Sequence, residues 1–281
     1  MINFSNFHCH SSYSDGKGTP EDIIKKAIEF EMPSIGISEH CPVPFKTAWN
    51  LKAEKVDEYI NLIADLKRSY ANKIEVYCGM EVDYIEAMQN EILKNSKIEK
   101  LDFIIGSIHF LGFLNNQVWN IDGTSELFRQ GMEEIYKNDG KKLVVEYYRN
   151  VIHMVRELNP AIIGHLDKIR LHNTGDIYFS EESEHYRNSA LEALDVIKNT
   201  NCLVEVNTRG LYKHLNKEPY PSLWMLKQMK KRGIKIVLSS DSHVPEDLLR
   251  NFREAIDFVK EAGYKTHWQL ENGKWKEKEL I

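Results

Sequence analysis

The feature that most constrains this chain is a series of short apolar segments, most of them followed directly by a histidine or an acidic residue. Uninterrupted runs of this kind, rich in Ile and Val, are typical of strands buried on both faces of a parallel sheet. The sequence predicts seven such strands, at 4–9, 34–38, 75–79, 103–108, 161–164, 202–206 and 234–239.

Amphipathic segments separate these predicted strands. Thr19 and Pro20, followed by Glu21 and Asp22, are typical of a capped helix start. Further helices are predicted at 53–70, 143–157, 182–200, 223–232 and 245–262. This alternation favours an α/β barrel or a doubly wound sheet, and seven strands favour the barrel.

The chain has 281 residues, which suits one barrel domain over 1–281. Two segments depart from the strand and helix alternation. The first, 111–142, is a polar and aromatic insertion, predicted to form a lid or wall beside the site. The second is the tail at 264–281, where Asn272 and Gly273 separate two aromatic-bearing stretches and predict a hairpin.

Composition restricts the partners. The formal net charge of -5 argues against nucleic acid binding, which needs a basic face. An anionic small molecule stays compatible, because bound metal ions supply local positive charge. We found no apolar run of about 18 residues, no signal peptide and no CxxC pair among the four cysteines, so we expect a soluble cytoplasmic protein without membrane contact. The oligomeric state is left open.

Histidines and acids mark six of the predicted strand ends. In a parallel barrel these ends meet on one rim, so residues more than two hundred positions apart converge. His8 and His10 point the same way on an extended strand, because side chains alternate along it. The candidate ligands are His8, His10, Asp15, His40, Glu81, His109, His165, Asp241 and His243.

Such a cluster predicts a metal site, since buried ionisable groups without a counter-charge are costly. Imidazole and carboxylate together suit Zn, Mn or Fe rather than Ca. Glu39 and Asp167 are predicted to orient ligands rather than to bind metal. Cys9 and Cys41 are predicted to be packing thiols, and His172 and His214 remain possible substrate contacts.

These motifs, in this order, resemble the polymerase and histidinol phosphatase (PHP) family. The flanking segments are similar to its histidinol-phosphate phosphatase branch, at 38–42, 81–85, 105–110, 164–167 and 205–210. The resemblance implies a distorted seven-stranded (β/α) barrel with three divalent metal ions. It also implies hydrolysis of L-histidinol phosphate to L-histidinol and phosphate, late in histidine biosynthesis.

The resemblance further implies how the ligands are shared. The first ion would be held by His8, His10, Glu81 and Asp241. The second would be held by Asp15, His40 and His243. The third would be held by His109, His165 and the bridging Glu81.

Phosphate ester hydrolysis also needs groups that bind the substrate. Arg209 is the first choice as a phosphate clamp, followed by Arg170 and Lys168, because guanidinium pairs with phosphate oxygens in a bidentate fork. The wall that contacts the imidazole and ammonium groups of the substrate is predicted to contain Asp83, Tyr84, Trp119 and Asp122. A metal-bound water, Asp15 or His243 would protonate the leaving alkoxide.

Three alternatives stay open at this stage. One is a phosphoesterase of the same scaffold that acts on nucleotides or nucleic-acid ends. Another is a metal-binding regulatory module without catalysis, although every ligand position is filled. The third is a metal-dependent amidohydrolase, which typically carries a bridging lysine after a middle strand, and none is evident in the sequence.

Overall fold

The computed structural model describes residues 4–280. Residues 1–3, part of the segment from which the lack of a signal peptide was inferred, and residue 281 lie outside the described residues. The strands in chain order are β1 (Ser34–His40), β2 (Glu75–Asp83), β3 (Phe103–Ser107), β4 (Phe110–Leu114), β5 (Gln117–Asn120), β6 (Ile162–Ile163), β7 (Leu203–Asn207), β8 (Ile236–Ser239), β9 (Thr266–Glu271) and β10 (Lys274–Glu279).

Helices connect these strands and cover the sheet. They are α1 (Pro20–Glu29), α2 (Val56–Ser69), α3 (Gln89–Ser96), α4 (Ser125–Glu134), α5 (Gly140–Leu158), α6 (Glu184–Ile197), α7 (Arg209–Tyr212), α8 (Leu223–Lys231) and α9 (Phe252–Glu261). Within residues 4–280 no helix is both long and apolar enough to cross a bilayer.

A curled sheet of six parallel strands forms the centre, in the order β1-β2-β3-β6-β7-β8. Its strands are buried almost throughout and do not alternate, as expected when helices cover one face and the barrel interior the other. Phe103 fills the interior, and a Cβ atom on Gly79 would lie 2.3 Å from its ring. Phe7, Ile105 and Leu270 join this apolar floor, so the barrel is packed beneath its rim.

The first predicted strand, at 4–9, differs from what the structure shows. Residues 4–9 do not form a continuous strand but make two isolated bridges, from Asn6 to Ile35 and from Cys9 to Ser242. The Asn6 side chain explains the interruption, because its Oδ1 accepts from His8 N at 3.0 Å. The segment still lies between β1 and the chain after β8, and closes the distorted barrel that the sequence predicts.

Most helices begin and end close to the predicted residues. α1 has the predicted start, with Thr19 and Asp22 in a reciprocal capping box. The helix predicted at 245–262 is present but begins later than predicted. A short 3-10 turn at Pro245–Asp247 precedes α9 instead, because Asn251 adopts a left-handed conformation with φ 57°.

The two irregular segments have structure of their own. The insertion contains the β4–β5 hairpin and α4, while α5 already begins at Gly140. The tail forms the predicted hairpin of β9 and β10, and Asn272 and Gly273 both have positive φ, at 51° and 67°. This hairpin places Leu270 on the floor of the barrel.

Candidate metal centre

Glu81, at the end of β2, is the centre of the histidine cluster. It is 1% exposed, and its two carboxylate oxygens face different partners. Oε2 lies 3.2 Å from His8 Nε2 and 2.9 Å from His40 Nδ1. Oε1 lies 2.9 Å from His165 Nε2 and 3.4 Å from His109 Nε2. One buried carboxylate therefore joins ligands from four separate segments of the chain.

Asp241 forms a second group with the first segment of the chain. Its Oδ1 lies 3.4 Å from His10 Nε2 and 3.8 Å from His8 Nε2. Burial opposes ionisation of Asp241, but the charges of His8 and Arg209 hold its pKa well below the usual value. The carboxylate is thus charged at neutral pH, in the form that binds a cation.

Asp15 forms a third group on the open side of the cluster. Its Oδ1 lies 3.2 Å from His243 Nε2 and 3.6 Å from His40 Nε2. Burial alone would raise the pKa of Asp15, but the hydrogen bond with His243 and the positive charges of both histidines lower it to about 2. All nine predicted ligands therefore converge on the same rim.

The donor atoms fit divalent cations. Several buried atoms have no hydrogen-bond partner within residues 4–280, among them His8 Nε2, both ring nitrogens of His10, and Glu81 Oε2. Buried polar atoms without partners are rare, and here they face one another. Burial and the neighbouring histidines also hold the pKa of His10 well below its ordinary value, which keeps it in the neutral, ligating form.

The distances between donor atoms support the same conclusion. Among the residues that the structure describes, three groups of three have all ligand atoms within 4.8 Å of one another, and a cation between them would satisfy the atoms that lack partners. They are His8 with His10 and Glu81, His10 with His40 and His243, and His40 with Glu81 and His109. His40 belongs to two of these groups, so the predicted sharing of ligands among three ions stays a prediction.

Two buried carboxylates orient the histidines. Glu205 Oε2 lies 2.8 Å from His8 Nδ1, and its Oε1 accepts from His165 N at 2.7 Å. Asp83 Oδ1 lies 2.7 Å from His109 Nδ1. The contacts to His8 and His109 engage Nδ1 and leave Nε2 directed at Glu81, an arrangement typical of metal-binding histidines.

These contacts change the predicted roles. Asp83 is buried against His109, which removes it from the predicted substrate wall. Glu205 was missed as a site residue. The available signal was an acidic residue inside the apolar segment at 202–206, where an unpartnered charge would be costly.

The two acids predicted to orient ligands act on other groups. Glu39 accepts from Ser11 N at 3.0 Å and from the hydroxyls of Ser11 and Ser14, and so holds the turn that carries Asp15. Asp167 accepts from Ser222 N at 2.8 Å and pairs with an arginine. Neither acid forms a hydrogen bond with a ligand histidine among the described residues.

A cavity of about 270 Å³ opens over the ligands, a volume suited to a small molecule. Besides ligands, its walls include Trp49, Asn120, Asp122, Lys168, Arg209 and Tyr220. Asn120 and Asp122 come from the predicted insertion, which therefore forms part of the wall.

Two of the predicted basic residues reach this cavity. Arg209 Nη1 donates to Asp241 O at 2.8 Å and lies 2.7 Å from His243 Nδ1. Lys168 Nζ lies 2.6 Å from Asp122 Oδ2. Both cations thus stand beside the ligand cluster.

Arg170 does not reach the cavity. Its guanidinium pairs with Asp167 at 3.2 Å, Glu181 at 2.8 Å and Glu218 at 3.4 Å. Three carboxylates hold this side chain away from the ligands, so we correct its predicted phosphate contact.

Tyr84 and Trp119 are also not part of the wall. Each is 1% exposed and belongs to the largest apolar cluster. Trp119 Nε1 donates to Leu127 O at 3.0 Å, which turns the indole towards α4. These two aromatic residues therefore belong to the apolar core, where they are in one cluster with residues of the insertion and of α5. His172 lies against Ser125 at 3.3 Å rather than in the cavity.

Known proteins align with most of this chain. A Schizosaccharomyces pombe protein, designated a probable histidinol-phosphatase, is 27% identical over 95% of this chain and 89% of its own length. The Bacillus subtilis histidinol-phosphatase is 26% identical over 85% of this chain and 91% of its own.

Solved structures share the fold. The histidinol phosphate phosphatase from Lactococcus lactis, solved with zinc, L-histidinol and phosphate, superposes with a TM-score of 0.74 at 22% identity, over 98% of this chain and 99% of that one. The model of the PHP domain family matches residues 6–209, which include seven of the nine candidate ligands. The chain belongs to the PHP domain family.

Proposed function

We propose that this protein is a metal-dependent phosphomonoesterase that hydrolyses L-histidinol phosphate to L-histidinol and phosphate. The observation that carries the proposal is the buried Glu81 carboxylate, which faces four histidines at the base of a small cavity. Relatives that align over most of this chain carry the name histidinol-phosphatase, and this supports the choice of substrate.

The metal ligands follow the groups described above. His8, His10, Glu81 and Asp241 would hold one ion. Asp15, His40 and His243 would hold a second, and Glu81 would bridge to a third on His109 and His165. Imidazole and carboxylate donors suit Zn, Mn or Fe. Bound cations of this kind supply Lewis acidity and lower the pKa of water.

The remaining groups bind the substrate and handle protons. Arg209 is 25% exposed at the side chain and lies beside Asp241 and His243 on the cavity wall, so its guanidinium can bind phosphoryl oxygens. Lys168 reaches the cavity from the short 3-10 turn after β6 and provides a second cation. A metal-bound water, Asp15 and His243 are the candidates to protonate the leaving alkoxide, and these two side chains lie 3.2 Å apart on the cavity wall.

We propose that Asp122 receives the ammonium group of the substrate. Its carboxylate lines the cavity and is 21% exposed. Burial would raise its pKa, but the charge of Lys168 lowers it, so Asp122 is ionised and attracts cations. We further propose that the enzyme works in the cytoplasm on this small molecule and not on nucleic acid.

Elemental analysis of the purified protein, combined with phosphate release from L-histidinol phosphate, tests the proposal. We expect bound divalent metal and a kcat/KM for L-histidinol phosphate that exceeds those for nucleotides, glycerol phosphate and DNA ends. If the metal-loaded protein prefers a nucleotide, L-histidinol phosphate is not its substrate. If it releases no phosphate from any ester, the protein is not a phosphatase.

A further inference from the structure

Trp49 lies on the cavity wall, in a loop that contributes none of the candidate ligands. Its ring centroid is 4.6 Å from that of His40 and 5.7 Å from that of His109, at interplanar angles of 78° and 87°. The ring of Phe110 stacks on it at 5.6 Å and 11°. Three neighbouring rings therefore hold the indole beside the ligand cluster.

The loop at 41–51 is closed at its base, so the position of Trp49 is set before any substrate arrives. Leu51 N donates to His40 O at 3.0 Å, and Asn50 Nδ2 donates to Cys41 O at 2.6 Å. A side chain held in this way loses little conformational entropy when it contacts a ligand.

The charges around Trp49 suit a planar cation. Arg209 and Lys168 line this cavity and are the cations proposed above to bind the phosphate, whereas Asp122 and Asn120 offer a carboxylate and an amide on the same wall. Aromatic faces bind both flat rings and cations. The other non-histidine aromatic residue among the described parts of this wall, Tyr220, is 2% exposed and offers little surface.

We propose that Trp49 is a specificity-determining residue of this site, whose indole contacts a planar, cationic leaving group and favours ring-bearing phosphate monoesters over aliphatic ones. The inference rests on the proposed function, because it assigns the leaving-group side of the same cavity. Trp49 therefore controls which ester is preferred and contributes little to hydrolysis of an ester without a ring.

The test compares metal-loaded wild type, Trp49→Leu and Trp49→Phe on two substrates that differ by the ring. L-Histidinol phosphate carries an imidazole and an ammonium group, and 2-aminoethyl phosphate carries only the ammonium group. From the usual strength of aromatic contacts, Trp49→Leu should lower kcat/KM for L-histidinol phosphate about tenfold, mainly through KM. The change for 2-aminoethyl phosphate should stay below about twofold, and Trp49→Phe should show a smaller loss confined to the ring-bearing ester.

A matched control is Trp224→Leu. Trp224 lies on α8, where the centroid of its ring is 6.2 Å from that of Tyr186. The Trp224→Leu substitution should leave both kcat/KM values unchanged. Metal content is measured for every variant. Equal losses on both substrates, or no loss on either, would overturn the role of Trp49. If Trp49→Leu fails to retain metal, Trp49→Phe decides by the same comparison.

A second pair of substrates separates this inference from the proposed function. Benzyl phosphate and ethyl phosphate differ by a ring but carry no ammonium or imidazole group. Wild type that hydrolyses these esters and not L-histidinol phosphate would contradict the proposed function. The benzyl to ethyl ratio of kcat/KM would still decide the inference, since it must fall in Trp49→Leu if the indole selects rings and stay constant if it does not.

Discussion

Glu205 Oε2 lies 2.8 Å from His8 Nδ1, and both side chains are fully buried. This pair joins the middle of β7 to the first segment of the barrel. Burial opposes ionisation of Glu205, but the charge of His8 and the hydrogen bond to it lower the pKa of the carboxyl. The charged carboxylate therefore accepts a hydrogen bond from His8 Nδ1 and leaves Nε2 directed towards Glu81.

We expect Glu205→Gln to weaken metal binding about 10- to 100-fold, the usual cost of losing a partner behind a metal-binding histidine. The physical reason is that an amide neither fixes the His8 tautomer nor raises its basicity. Competition with a chelator measures the affinity. Glu192→Gln, on the exposed side of α6, is the matched control. Unchanged affinity in Glu205→Gln would show that the pair has only a packing role.

We expect His8→Ala to lose most of the bound metal and nearly all phosphatase turnover while the fold is kept. His8 Nε2 contacts both Glu81 and Asp241, so two groups of donors lose a member. Elemental analysis, circular dichroism and phosphate release measure the three properties. Wild-type turnover in a folded His8→Ala protein would reject the proposed site.

Arg209→Ala should mainly raise KM for the phosphate ester, because the guanidinium contributes to ground-state binding of phosphate. One lost charge-assisted contact corresponds to roughly a tenfold change or more. Lys213→Ala is a suitable control, since this lysine is 45% exposed and is not among the residues that line the cavity. If KM and kcat are both unchanged, Arg209 does not bind the phosphate.

Stability should fall at acid pH because of His267, on β9. Burial, followed by the charge of Lys278, lowers the pKa of His267 in the folded state to about 4, below the unfolded value of 6.5. The folded protein therefore excludes a proton that the unfolded chain binds. The contribution of neutral His267 to the free energy of unfolding is fully present above pH 6.5 and is lost as the pH falls from 6.5 towards 4.

Urea unfolding of wild type and His267→Phe at pH 7 and pH 4.5 checks this effect. The loss of unfolding free energy between these two pH values should be about 2 kcal/mol larger in wild type. The phenyl ring keeps the apolar contact with Phe4, whose ring lies 5.3 Å away. Parallel pH profiles for the two proteins would mean that His267 is not buried as described.

Local patterns in the sequence were sufficient for the ligands and for several elements. His10, His109 and Asp241 follow apolar segments, and parallel strands bring such ends together whatever their distance along the chain. The start of α1 and the tail hairpin were also predictable, because a cap at Thr19 and a turn at Asn272 depend on neighbouring residues alone.

Contacts between distant segments could not be obtained in this way. Asp83 and Trp119 have the chemistry of substrate contacts, yet one bonds to His109 and the other packs against α4. Glu205 and Trp49 show the reverse, since neither is among the predicted site residues and both reach the site. Alternation along a strand predicts which face a side chain takes, but its partner depends on how helices and loops pack over that face, and this arises only when the whole chain is folded.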